Sequence, residues 1–351
     1  MSKILIVHAS FGEGHKQAAH ALKEHLGAEC RDLLDFTFPF LKKFYIFNYL
    51  IVTQHICWLW GALFFIARVR FISSIIDKAH RLIFSSFFKY LRENKPKVIV
   101  TTHFFPSSLI AVLKEELGVK VITIITDLRV HPWWVNGCID YYFVALDATK
   151  KDLVELGVDE GKILSGCVSL REGFLKKVSL ESIYQKFSLK PGPSVLFVSS
   201  LRGSFPHFKK SIEEILKKFN IFLIYGKNKK LESHLKKMDT CCIRFFYFYN
   251  EIWELMAASS VLVTKPGGLT VFEGIFMKKF FIFTHYIPGQ EKGNMDLLIK
   301  SGVARFAKNS KELLESLDYF NEKRKISQDY PLKVKDIRRP LTDLVNSFIN
   351  V

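Results

Sequence analysis

The chain is short of acid: 34 aspartate and glutamate residues stand against 51 lysine and arginine, a formal net charge of +17. A deficit of this size argues against cationic partners. It favours anionic ones: nucleic acid, anionic lipid head groups or a phosphorylated substrate. Cysteine is sparse and unpatterned. Cys30, Cys57, Cys138, Cys167, Cys241 and Cys242 fall at no metal-ligand spacing, and the vicinal pair is not a C-x-x-C motif. We therefore read reduced thiols in a cytosolic compartment, not a zinc module or a dithiol redox centre. No carboxylate pair with evident metal geometry is present. No recognised nucleic-acid motif accompanies the charge, so no nucleic-acid partner is expected. The first residues already carry a strand pattern, Lys3-Ile-Leu-Ile-Val7, so no secretory signal peptide is expected.

What abounds is apolar. Hydrophobic residues make up 49% and mean hydropathy is +0.13, which excludes disorder, and 351 residues suffice for two domains with separate cores. Phenylalanine alone numbers 33. From Phe44 to Ala67 there is no Asp, Glu, Lys or Arg, while Trp58, Trp60, Phe64 and Phe65 are present; Lys42, Lys43, Arg68 and Arg70 flank the run. Its length would cross a bilayer, but Asn48, Thr53, Gln54 and His55 interrupt its middle, where a lone spanning helix carries them at a cost. Basic residues at both ends give no orientation. The next stretch, Phe71–Leu91, is amphipathic. Phe71, Ile72, Ile75, Ile76, Ala79, Leu82 and Ile83 share a face, with Lys78, Arg81, Ser85 and Lys89 mostly away from it. We read 36–91 as an in-plane membrane-docking element, aromatics in the interface and cations on anionic lipid. Two core helices, or a true span, are the alternatives.

Elsewhere the rhythm is strand, loop, helix. Strands are predicted at Lys3–His8, Val98–Thr102, Val119–Thr126 and Tyr141–Ala145, then at Ser194–Ser199, Ile221–Tyr225, Val261–Thr264 and Phe280–Thr284. Near-continuous apolar strands alternating with helices indicate parallel sheets covered on both faces. The join is placed between Val168 and Ser194, where Pro191-Gly-Pro193 punctuates a basic stretch. The organisation expected is an N-terminal domain over 1–170, a second over 190–330 and a last helix over 331–351 returning to the first. Two doubly wound domains would set the carboxyl ends of their strands at a common cleft, where such sheets bind ligands.

Three motifs carry chemistry. Ser10-Phe-Gly-Glu-Gly-His15 follows the first strand and opens a helix. Gly12 and Gly14 permit close approach of a ligand to the backbone, and a histidine on the turn suits a general base; packing of the helix start is the equal alternative for His15. Thr264-Lys-Pro-Gly-Gly-Leu-Thr270 repeats the arrangement, with N–H groups and a helix N-terminus suited to a diphosphate. Glu273 is placed in the first turn of that helix, either stabilising its end or receiving ribose hydroxyls. Pro288-Gly-Gln-Glu-Lys-Gly-Asn294 begins another helix, and Gln290, Glu291 and Asn294 offer the donors and acceptors that read sugar hydroxyls.

These residues resemble the monogalactosyl- and glucosyl-diacylglycerol synthases, the lipid-sugar branch of the MurG-like glycosyltransferases. The similarity runs through Gly12-Glu-Gly-His15, Thr101-Thr-His103, Thr126-Asp-Leu-Arg-Val-His131 with Trp134, Asp140–Ala145, Asn250–Met256 and the two C-terminal loops. It implies the GT-B fold, two Rossmann-like domains about a central cleft. It implies an inverting transfer of glucose or galactose from a UDP-sugar to diacylglycerol by a peripheral enzyme on the cytoplasmic face of the membrane, with no metal or cofactor. By the resemblance, Pro266, Gly267, Gly268, Leu269 and Thr270 cradle the diphosphate beside Lys265, and Glu273 holds the ribose. Gln290, Glu291 and Asn294 meet the sugar, and Phe248 and Tyr249 flank the uracil. His15 is the general base and Asp127 the second catalytic residue, orienting His15 or placing the acceptor, with capping of the following loop as its alternative; Gly12, Gly14, His131 and Trp134 lie on the acceptor side. Two departures stand out. Ser199-Ser-Leu-Arg-Gly203 replaces a glycine-rich loop, leaving Gly203 for donor approach and Arg202 to pair with phosphate. Gly274 replaces a small alanine, loosening the helix by up to about 1 kcal/mol. A MurG-like transfer of N-acetylglucosamine to a polyprenyl-linked acceptor, a nucleotide-sugar epimerase and a non-catalytic lipid- or nucleotide-binding relative are the competing readings.

Overall fold

The computed structural model describes residues 3–11, 13–55, 80–166, 170–189, 191–198, 205–226, 242–288, 291–322, 330–334 and 337–349. The chain divides into two compact units. Unit 1 comprises Met1–Arg171, Ile287–Gly293 and Val334–Val351; unit 2 comprises Glu172–Tyr286 and Asn294–Lys333.

Unit 1 runs β1 (Ile4–His8), α1 (Glu13–Leu26), β2 (Glu29–Asp32), α2 (Pro39–His55), α3 (Ser85–Asn94), β3 (Val98–Thr101), α4 (Phe104–Ile110), β4 (Lys120–Ile124), β5 (Tyr141–Val144), α5 (Asp147–Glu155) and β6 (Ile163–Ser165). Unit 2 runs α6 (Leu180–Lys186), β7 (Ser194–Val198), α7 (Phe205–Leu216), β8 (Asn220–Ile224), β9 (Ile243–Phe246), α8 (Ile252–Ala258), β10 (Val261–Thr264), α9 (Gly268–Phe276), β11 (Phe280–Phe283), α10 (Lys292–Lys300, in unit 2 from Asn294 on), β12 (Ala304–Phe306) and α11 (Ser310–Glu322). A final helix, α12 (Arg338–Ile349), belongs to unit 1. Its start meets α1 where His25 Nε2 donates to the Arg338 carbonyl at 3.1 Å, 2.7 Å from Thr342 Oγ1.

Both sheets are wholly parallel, with strand orders β2-β1-β3-β4-β5-β6 and β12-β11-β10-β7-β8-β9. Parallel pairing demands a crossover between neighbours, and helices on both faces then bury the sheet. That is why the central strands read as unbroken apolar runs: β3, β8, β10 and β11 are buried at every position. The strands absent from the sequence expectation are β2, β6, β9 and β12, the four sheet edges.

Each unit has its own core: Leu5, Val7, Phe87, Ile99 and Val121 among others in unit 1, and Val195, Phe197, Ile221, Val261 and Ile282 in unit 2. Much of the phenylalanine surplus goes into these interiors, since Phe197, Phe222, Phe272, Phe280, Phe281 and Phe283 are fully buried.

One expectation changes here. Gly274 does not merely loosen α9. A Cβ at this position would lie 2.5 Å from Phe281 Cζ, 2.7 Å from its Cε1 and 2.9 Å from Leu262 Cδ1. The missing methyl is the space in which the β11 ring packs. Gly274→Ala, which helix propensity alone would favour by about 1 kcal/mol, should instead destabilise the protein by about 1–3 kcal/mol through overpacking. Urea denaturation of the variant checks this; a stabilised protein would show that the ring can shift.

Candidate functional site

In a doubly wound sheet the crossovers leave in opposite directions at one point, and the crevice there lies outside the carboxyl ends of the strands. In unit 1 that point falls between β1 and β3; in unit 2 it falls between β10 and β7.

In unit 1, His15 sits in the first turn of α1, the helix having begun at Glu13. It is thus a helix residue, not the turn residue expected. Its ring is clasped by the ends of two neighbouring strands. His15 Nδ1 lies 2.8 Å from the Thr102 carbonyl and 2.9 Å from Thr126 Oγ1, and the Thr102 hydroxyl returns a 3.0 Å bond to the His15 carbonyl. A carbonyl only accepts, so Nδ1 carries the proton and the basic lone pair is on Nε2.

His103 packs edge-on against His15, ring centroids 4.5 Å apart. Its Nδ1 accepts from the Phe105 N–H at 3.1 Å, and burial drives its pKa well below the ordinary 6.5. Asp127 and Trp134 are both buried, and the Trp134 indole donates to Asp127 Oδ2 at 3.2 Å. The Trp134 ring in turn lies 6.5 Å from that of His15 and 5.9 Å from that of the buried His131. The two threonines and His103, though inside motifs the resemblance covers, had been given no role. Thr102 and His103 follow the carboxyl end of β3, which borders the crevice, and Thr126 follows that of the neighbouring β4; that position was the available signal.

In unit 2, β10 runs into Lys265–Gly267 and then α9. Gly267 is the N-cap, with extended backbone at φ −73° and ψ 135° and no side-chain capping bond. The first-turn N–H groups are therefore not satisfied by their own cap. Pro266 and Leu269 are buried, whereas Lys265, Gly267, Gly268 and Thr270 are half-buried. The fully buried Asn294 side chain donates to the Pro266 carbonyl at 3.1 Å, tying α10 to this loop.

Glu273 is not in the first turn of α9. Because the helix begins at Gly268, Glu273 lies one turn deeper, at 2% exposure. Glu291, also buried, closes its own turn: Oε2 accepts from the Ile287 N–H at 2.9 Å. Of the aromatic pair, Phe248 is 61% exposed, while the Tyr249 hydroxyl donates to Glu254 Oε2 at 2.5 Å, a carboxylate also held by Lys186 at 2.7 Å. Burial and that carboxylate push the Tyr249 hydroxyl up to about 12. Gly12, Gln290, the Ser199–Gly203 loop with Arg202 and Gly203, and residues 56–79 of the docking region lie outside the described residues.

The remainder of that region shows a particular exposure pattern. Phe40, Lys43, Phe44 and Phe47 stand at i, i+3, i+4 and i+7 of α2, and all are exposed; Tyr45 and Ile46, on the other side, pack on the unit 1 core. The three phenylalanines are 68%, 58% and 62% exposed. Among the described residues no helix is long and apolar enough to cross a membrane.

Residues 15–165 match the family described as monogalactosyldiacylglycerol (MGDG) synthase. Processive diacylglycerol beta-glucosyltransferases of Bacillus cereus (strain B4264) and Staphylococcus epidermidis (strain ATCC 12228 / FDA PCI 1200) are 29% and 28% identical to the chain. Each match covers 89% of this chain and 83% of the relative. Among solved structures, Acinetobacter baumannii MurG superposes with a TM-score of 0.61 at 14% identity, over 98% of this chain and 99% of that one. S. aureus MnaA, solved with UDP, gives 0.61 at 12% identity over 100% and 97%. UDP-GlcNAc 2-epimerase of Neisseria meningitidis gives 0.60 at 14% identity over 99% and 100%.

Transferases and epimerases alike share this architecture, so it defines the GT-B fold and no more; the sequence relatives make the chain a hexosyltransferase. Within that class it is related to the diacylglycerol glycosyltransferases, the branch its motifs resemble.

The buried histidines give unit 1 a pH dependence of known sign. Burial lowers the pKa of both His8 and His103, so the unfolded chain takes up their protons first. Stability therefore falls as pH drops below the unfolded value of 6.5, by up to about 1.4 kcal/mol per pH unit for each such ring. His103→Asn keeps an acceptor for the Phe105 N–H and removes one titrating ring. Urea denaturation at pH 7 and pH 5 should show the pH dependence reduced by about one proton's share, and an unchanged dependence would assign it elsewhere.

Proposed function

We propose that the protein transfers a hexose from a UDP-sugar to the hydroxyl of diacylglycerol at the cytoplasmic face of an anionic membrane, by single displacement with inversion. The observation that carries the reading is the clasp on His15. With its proton committed to the Thr102 carbonyl on Nδ1, the ring offers Nε2 to remove the acceptor hydroxyl proton as the oxygen attacks the anomeric carbon. Trp134, steadied on Asp127, walls the His15 ring and with His131 forms the acceptor side.

The hard part of the reaction is the departure of UDP. Charge developing on the diphosphate meets the N–H groups of the first turn of α9, left open by the Gly267 cap, with the helix dipole and Lys265 adding to them. In this reading Glu273 receives the ribose hydroxyls, Phe248 and Tyr249 flank the base, and Gln290, Glu291 and Asn294 read the sugar. Arg202 and Gly203 complete the phosphate side. Asn294 does so from a side chain that also fixes Pro266. The names of the sequence relatives make glucose the first choice of sugar.

The lipid half of the reading rests on α2. Three phenylalanines and a lysine on one exposed helical face are what an interfacial helix presents, and each ring fully buried contributes about 1.5–3 kcal/mol.

The test is a donor panel of UDP-glucose, UDP-galactose and UDP-N-acetylglucosamine with diacylglycerol vesicles. Glucosyl or galactosyl diacylglycerol is expected; turnover of UDP-N-acetylglucosamine alone would favour a MurG-like acceptor, and no turnover a non-catalytic relative. His15→Ala should lose about 10²–10⁴-fold in transfer while still binding UDP, and retained transfer would remove the base. Glu273→Gln should weaken UDP binding about tenfold or more, as loss of a charged hydrogen-bond partner does; unchanged affinity argues against the ribose role. Phe44→Ser should lower binding to neutral and anionic vesicles alike and Lys43→Glu only to anionic ones. Binding indifferent to both would move docking away from α2.

A further inference from the structure

We propose that His8, His20 and Cys30 form a metal site of the zinc class in unit 1, apart from the His15 clasp and the loop before α9. The three come from three elements: His8 ends β1, His20 is on α1 and Cys30 is in β2. Parallel register pairs Ile6 with Cys30 and His8 with Asp32. Side chains alternate along a strand, so His8 and Cys30 share a sheet face. It is the face opposite Leu5 and Val7, which enter the core with α3. The ligand atoms of all three side chains lie within 4.8 Å of one another, and the two imidazole rings are 6.0 Å apart and tilted by 57°.

A second observation points to a ligand. His8 is only 3% exposed, yet its Nδ1 is fully buried and has no hydrogen-bond partner among the described residues. A buried polar atom left so costs about 1–3 kcal/mol, and a cation accepting its lone pair removes that cost. Burial also keeps the ring neutral, the form that ligates, against Asp32 and Asp35, which favour its charged form; His20 and Lys16 act with burial. Asp32 itself is engaged by the Ser10 and Leu34 N–H groups and by Lys42, and it supplies negative charge close to the cluster without being needed as a ligand.

The donor set is two imidazoles and one thiol, which selects zinc-like ions over magnesium or calcium. Zinc sits about 2.0–2.1 Å from nitrogen and about 2.3 Å from sulfur, so the three groups must close further around an ion. His20, the exposed member, is the one free to move. Burial pushes the Cys30 thiol up to about 11, so binding replaces a proton: the S–H bond breaks, a metal–sulfur bond forms and the proton goes to water. An ion held there would pin α1, whose first turn carries His15, to β1 and β2.

Cobalt(II) is the probe. The full chain, stripped with chelator and kept reduced, is titrated with Co²⁺ and followed by absorption, since a cobalt–thiolate bond gives a charge-transfer band and tetrahedral cobalt gives intense visible bands. One ion per chain, displaced by Zn²⁺, is expected. Cys30→Ser should abolish the charge-transfer band, Cys138→Ser should leave it unchanged, and His20→Ala should weaken binding at least tenfold. Zn²⁺ should raise the melting temperature of the parent protein and of Cys138→Ser but not of His20→Ala, whose exposed side chain can be removed without disturbing the fold. A band that survives Cys30→Ser, affinity indifferent to His20→Ala, or no cobalt–thiolate band at all would overturn the proposal.

Discussion

The crevice of unit 1 is organised by one reciprocal pair of hydrogen bonds, His15 Nδ1 to the Thr102 carbonyl and the Thr102 hydroxyl to the His15 carbonyl. The pair joins the first turn of α1 to the residue that follows β3, and those two elements flank the point where the sheet's crossovers part. Without it the ring has neither a defined tautomer nor a defined direction. Thr126, from the next strand along, closes the clasp from the other side. Two strand ends and one helix start are thus committed to a single imidazole.

Around that clasp the surroundings are aromatic. His103, Phe104, His131, Trp133 and Trp134 contact one another ring to ring. A neutral His103 beside His15 matters in such a setting. A charged neighbour 4.5 Å away would oppose positive charge on His15, whereas a neutral ring whose Nδ1 accepts from the Phe105 N–H does not. Asp127 is buried with them, its Oδ2 accepting from the Trp134 indole N–H.

How much of this was legible in the residues follows from burial. Strands covered on both faces had to be apolar throughout, and β1, β3, β4, β5, β7, β8, β10 and β11 were readable within a residue or two. The edges escaped because they pair on one side only and are short, three or four residues each, and Glu29–Asp32 is also largely polar. The same blindness hid the His8, His20 and Cys30 cluster. Spacing along the chain gives no metal motif, and only the register of an edge strand with β1 brings Cys30 into line. Glu273 was misplaced by a turn because the helix takes Gly268 as its first residue, a choice helix propensity disfavours and the loop geometry imposes. The role of Gly274 was invisible for a different reason: its partner, Phe281, lies across a crossover in the next strand.

The Gly267 cap has a consequence of its own. A serine or aspartate in that place would cap α9 with its own oxygen and make the helix about 1 kcal/mol more stable. The same oxygen would occupy the N–H groups at the helix end, so the helix would become its own competitor for any anion arriving from solution. Glycine leaves that end of the helix without a side-chain partner of its own, so its first N–H groups remain available to an anion from outside the helix.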